Sequence, residues 1–142
     1  MTLSTQTLSK LMRFAVDKAE AERALACDMH LTVVDMLNLD AAALDSEGLR
    51  KHLEQALTTG QVVVGNNAIP DPTAAPTTNT RFDHLRGIVV IPLAKDGVLY
   101  LDRPVKKGII PREVSERISR MAIHCTEDTA ESQMETLYLN QF

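Results

Sequence analysis

Apolar residues set the first element: Leu8, Leu11, Met12, Ala15, Val16 and Ala19 recur at the spacing of one helical face, and Ser4, Thr5 or Thr7 can cap its start. Near Glu22 the period changes. Ala24 to Cys27 and Leu31 to Val34 read as two strands on either side of the turn-forming Asp28-Met29-His30. Ser46 then caps a second helix with Leu49, Leu53, Ala56 and Leu57 on one face. Gly60 ends it, because a glycine just past the last turn takes the left-handed conformation without a steric penalty. Gln61 to Val64 follows as a third strand.

Gly65 to Arg86 holds Pro70, Pro72 and Pro76 among Thr, Asn and Asp, which predicts a loop of about twenty residues. Loops of that length in a compact domain act as binding loops, lids or linkers. Next, Ile88 to Ile91 is apolar at every position, so both faces of that strand are covered. Pro92-Leu93 ends the pairing, Asp96-Gly97 predicts a two-residue reversal with positive φ, and Val98 to Asp102 returns. Gly87 to Pro104 therefore reads as a buried antiparallel hairpin. Beyond Lys107-Gly108, Pro111 suits the first turn of a helix carrying Val114, Ile118, Met121, Ala122 and Cys125 on one face. Met134, Leu137 and Leu139 extend it after a break near Thr126 or Thr129. The apolar C-terminus suggests a chain cut from a longer protein.

Composition narrows the class. With 142 residues, 44% hydrophobic and 24% charged, the chain fits one globular domain. A net charge of -4 argues against a nucleic-acid-coating protein, and Lys106-Lys107 is too short a run to change that. No stretch approaches the ~18 apolar residues of a membrane span. Asp17, Glu20, Glu22 and Arg23 interrupt the N-terminal region, so it does not read as a secretion signal and a cytoplasmic location is expected. Cys27 and Cys125 lack a CxxC neighbour or a His at ligand spacing and read as small buried residues, with a disulfide between them left open. No nucleophile elbow, P-loop or dinucleotide fingerprint is present, so no enzyme is expected.

Three strings in this order resemble a GAF domain. They are Ala21-Glu22-Arg23-Ala24-Leu25, Ala56-Leu57-Thr58-Thr59-Gly60-Gln61-Val62-Val63-Val64, and Leu85-Arg86-Gly87-Ile88-Val89-Val90-Ile91-Pro92-Leu93 running into Gly97-Val98-Leu99-Tyr100-Leu101-Asp102-Arg103. The resemblance covers roughly residues 8–128 of a single domain, with 129–142 as a helical extension. It implies an α+β fold: an antiparallel sheet of five to six strands, terminal helices packed on one face, and a long loop over a pocket on the other. It also implies a regulatory module that senses a small molecule, forms a homodimer through its terminal helices and adjoins an output domain.

The ligand must come from residues. Members that bind cyclic nucleotides carry Asn-Lys, then Phe, three residues and Asp-Glu. Here Asn66 precedes Asn67, and Arg86-Gly87 stands where the acidic pair would be. Neither cysteine fits the bilin attachment point, and of the four histidines only His84 lies in the pocket loop as a haem ligand would. The candidate ligand-binding residues are Asn66, Asn67, Arg81, Phe82, His84 and Arg86, with the cofactor left unknown. A non-liganded dimerisation module is the alternative. A methionine sulfoxide reductase-like enzyme, which needs two thiols within reach of each other, is the remaining one.

Overall fold

The computed structural model describes residues 4–39, 47–66, 86–93, 96–126 and 128–141. The first helix, α1, spans Thr5–Ala19, and the Ser4 hydroxyl accepts from the Thr7 N–H at 3.2 Å, so Ser4 is the cap among the candidates. Strand β1 (Arg23–Asp28) and strand β2 (Val33–Leu37) follow. The Asp28 carboxylate accepts from the His30 and Thr32 N–H groups at 2.8 and 3.0 Å, and Leu31 sits at φ 62°. This side-chain-built turn uses up the first residues of the apolar run, so β2 begins at Val33 rather than Leu31.

Helix α2 (Glu47–Thr59) ends as expected: Gly60 lies at φ +66° and its N–H donates to the Ala56 carbonyl at 2.9 Å. Ser46, its expected cap, lies outside the described residues. Strand β3 is Val63–Asn66 and strand β4 is Arg86–Pro92, so each claims ends of the expected loop, whose remainder, 67–85, lies outside the described residues. Strand β5 (Gly97–Pro104) runs into a short 3-10 turn, Val105–Lys107, then helices α3 (Arg112–Ala122) and α4 (Glu131–Leu139).

Among the described residues the strands form one antiparallel sheet in the order β2-β1-β5-β4-β3. The hairpin expected from Gly87 to Pro104 is β4 and β5, with Pro92 opposite Val98 as its last strand pair. Its reversal differs from the expectation. The Leu93 N–H donates to the Gly97 carbonyl at 2.9 Å, so Gly97 already belongs to the return strand and no left-handed φ is needed there. Glycine is required instead because β1 comes close: a Cβ at Gly97 would stand 2.5 Å from the Cys27 carbonyl oxygen.

Alternation along the strands divides the core in two. Ala24, Ala26, Val89, Ile91, Leu99 and Leu101 face α1, α3 and α4, where Leu8, Leu11, Met12, Ala15, Ile118 and Met121 are buried against them. The C-terminal segment read as an extension adds Met134 and Tyr138 to this layer. Leu25, Cys27, Val63, Ile88, Val90, Val98 and Tyr100 face the other way, toward Leu49, Leu53 and Ala56 of α2. Arg103 closes the sheet end by donating to the carbonyls of Ala19, Gly108 and Ile109 at 2.8–3.0 Å.

Candidate functional site

Strand register places two opposite charges inside the α2 face. Arg23 shares the inward parity of Leu25 and Cys27, Asp102 that of Val98 and Tyr100, and the two lie directly opposite on β1 and β5. Arg23 Nε donates to both Asp102 oxygens at 3.0 and 2.9 Å, and its Nη2 donates to Oδ2 at 2.6 Å. The Tyr100 hydroxyl donates to the same Oδ2 at 2.5 Å. Asp102 is 0% and Arg23 7% exposed, so the pair is removed from water. Attraction in such a setting offsets desolvation only when the geometry is good and remaining lone pairs are satisfied, which the multiple bonds provide.

The same register continues the row. Asp102 lies opposite Ile88 on β4, and Ile88 opposite Gly65 on β3. Above Gly65 stands His52 of α2. Its Nδ1–H donates to the Gly48 carbonyl at 2.5 Å, and its Nε2 is the ring nitrogen nearest Gly65. A Cβ at Gly65 would stand 2.9 Å from that Nε2, so the glycine makes room for the imidazole. Guanidinium and carboxylate thus lie in one row of the sheet, the Tyr100 phenol reaches them from the neighbouring Leu25–Tyr100–Val90 row, and the imidazole stands over Gly65 with Ile88 between.

The expected site residues are placed only in part. Asn66 pairs through its backbone with Gly87, and Arg86 with Pro104, so both bracket the 67–85 connection at the sheet end where the polar row lies. Asn67, Arg81, Phe82 and His84 lie outside the described residues. Arg23, Asp102, Tyr100 and His52 were not among the candidates. The signal for the first two is a charge on the inward parity of an apolar strand, once in each of two strands and of opposite sign.

Cys27 is fully buried in the α2 face, and its burial with the neighbouring Asp28 charge pushes the thiol up to about 12. Cys125 belongs to the opposite core, and burial raises its thiol as well. With the sheet between them the two cannot form the disulfide left open above, nor act as nucleophile and resolving thiol. Among the described residues, no three His, Cys, Asp or Glu side chains gather as metal ligands, and no helix is long and apolar enough to cross a membrane.

No protein-family model matches the sequence, and no curated protein matches it significantly. Among solved structures, the chain is similar to the GAF domain/HD domain protein from Geobacter sulfurreducens. The TM-score is 0.54 with 14% identity, over 95% of this chain and 94% of that one. At that identity the likeness carries the fold alone: the chain has a GAF-like α+β fold, with the terminal helices on one face of the sheet.

Proposed function

We propose that this chain is a non-enzymatic regulatory domain that binds a small polar molecule on the α2 face of its sheet. The observation that carries the reading is the buried Arg23–Asp102–Tyr100 cluster beside the 67–85 connection. A buried ion pair is a poor stabiliser compared with apolar residues of similar volume, so its presence favours a role in recognition. Asn66, Asn67, Arg81, Phe82, His84 and Arg86 supply further contacts from the connection and its ends. Occupancy is passed across the sheet to α1 and α3, and from them to an output domain in a longer, cytoplasmic parent chain.

The apolar stripes of α1 and α3 are buried against each other within one chain. A homodimer through the terminal helices therefore uses their outer faces, not those stripes. The sulfoxide reductase alternative loses support, because its chemistry needs two neighbouring thiols.

Native mass spectrometry of freshly purified protein, paired with thermal shift, tests the reading. The expected result is a small molecule bound to the wild type and absent from the Arg23→Met, Asp102→Leu double variant. A ligand-free wild type whose melting ignores nucleotides, amino acids and common metabolites would overturn it.

A further inference from the structure

The helical layer stops one strand short of the sheet edge. On β4, Val89 is buried beneath it at 1% exposure, while Val64, its direct neighbour on β3 and on the same face, is 55% exposed. Helix α3 is fixed over β4, where the Ser119 hydroxyl donates to the Pro92 carbonyl at 3.0 Å. The result is a step. Its floor is Gly60 to Val62, the residues that lead into β3, with the exposed Val64 next along the same face, and its wall is the α3 face bearing Arg112, Glu116 and Arg120 with Ile123 just past the helix end.

Two properties of the step point to its occupant. Among the described residues β3 pairs on one side only, with β4 and without a register shift, and carries no Pro, Lys or other charge. Those are the devices with which sheet edges refuse another strand. The wall is positive: the single Glu116 carboxylate lies between Arg112 at 2.9 Å and Arg120 at 3.6 Å, both more than half exposed. Beside them Ile123 is 64% exposed. Among the described residues the step thus offers main-chain bonding, an apolar contact and two arginines that share one carboxylate, side by side.

We propose that this step docks an extended acidic segment of a partner protein, which adds to the sheet along β3. Main-chain hydrogen bonds to β3 supply affinity, as in other strand additions. On the step side, an apolar residue of the segment covers Val64 and Ile123 while a carboxylate meets Arg112 or Arg120.

The probe is the capped peptide Ser-Val-Thr-Glu-Thr-Val-Ser, with a Lys-for-Glu version as control, followed by amide NMR and hydrogen exchange on the full chain. The expected result is shifts and added exchange protection confined to β3 and the Ile123 end of α3, with no response to the Lys peptide. Val64→Lys and the Arg112→Glu, Arg120→Glu double variant, all at exposed positions, should each weaken binding about tenfold or more. No shift at millimolar peptide overturns the proposal, as does equal binding of the Lys peptide, binding unchanged in both variants, or a peptide bound as a helix. Self-association of the chain through β3 in sedimentation also overturns it, since a second copy would then be the occupant.

Discussion

Val89 and Val90 are neighbours on β4, both almost fully buried, and they meet different chemistry. Val89 faces a core built by three helices, apolar at its centre, with Thr7, Ser115 and Arg117 buried at its margin and the Arg117 guanidinium 4.7 Å from the Tyr138 ring. Val90 faces one helix, α2, and strands carrying a buried guanidinium, carboxylate and phenol. The helical face supplies stabilisation through burial of apolar area at roughly 25 cal/mol per Å². The α2 face spends part of that on keeping charges out of water. Arg117 on the helical face pairs with an exposed Glu113, whereas on the α2 face both members of the ion pair are buried, and that is the place to look for function in this fold.

The largest effect should come from breaking the ion pair on one side. Asp102→Ala strands the buried Arg23 without its carboxylate and should cost about 3–5 kcal/mol in urea unfolding. Replacing both partners, Arg23→Met with Asp102→Leu, should recover most of that loss, because two apolar groups need no desolvation. A double variant as unstable as the single one would mean that the pair is there for stability. The contrast between the faces would then fail.

Next in size is the matched pair Val89→Ala and Val90→Ala. Each removes two buried methyl groups and should cost about 1–3 kcal/mol. Their stabilities should be similar, yet only Val90→Ala should alter the thermal shift produced by a bound small molecule. Equal responses from the two variants would remove the assignment of the ligand to the α2 face.

Gly97→Ala acts on the helical face, since Gly97 shares the parity of Leu99 and Leu101 and its Cβ would stand 3.1 Å from Leu8 Cδ2. The new Cβ would press on the Cys27 carbonyl, which cannot move without shifting β1, and a cost of about 1–3 kcal/mol is expected in thermal unfolding. A neutral substitution would show that β1 yields at Cys27, the residue where its pairing with β2 already shifts register.

These sites also mark how far the sequence could be read. The helix of Leu8 to Ala19, the helix of Val114 to Ala122, which stops before the expected Cys125, and the β4–β5 hairpin were legible because each buries a regular apolar set. The start of β2 was not, because Asp28 builds its turn with a side chain and so consumes Leu31 and Thr32. Gly97 was read as a turn residue because Asp-Gly fits that role, whereas the actual demand comes from Cys27, far away in sequence. The polar row was missed for a related reason. Arg23 and Asp102 look like ordinary strand-end charges until β1 and β5 are paired, and only register brings them together. His52 lies one position from Leu53 on the buried stripe of α2, and its role depends on what lies beneath it at Gly65. The loop that had been expected to hold the whole site is represented by its two ends, Asn66 and Arg86.

The smallest predicted effect contrasts Asp102 with a second paired aspartate, at the rim of the helical face. Asp35 accepts from the Ser9 hydroxyl at 2.6 Å and from Arg13 Nε and Nη2 at 3.2 Å, tying β2 to α1. Partial burial pushes its carboxyl upward, but the Ser9 hydroxyl, the Met36 N–H and the Arg13 guanidinium outweigh that and hold it below the usual carboxylate range. A folded value below the unfolded one, about 3.9, means that the contribution is fully present above that pH and fades as pH falls through the folded value. Arg13 is 53% exposed, so the pair is screened and worth less than ~1 kcal/mol. Asp35→Asn should therefore lower stability slightly at pH 7, less so in molar salt, and the difference from wild type should shrink toward zero as the pH falls through the folded value. A loss at pH 7 as large as that of Asp102→Ala, or one that persists undiminished at low pH, would show that the rim carboxylate is held as tightly as the buried one.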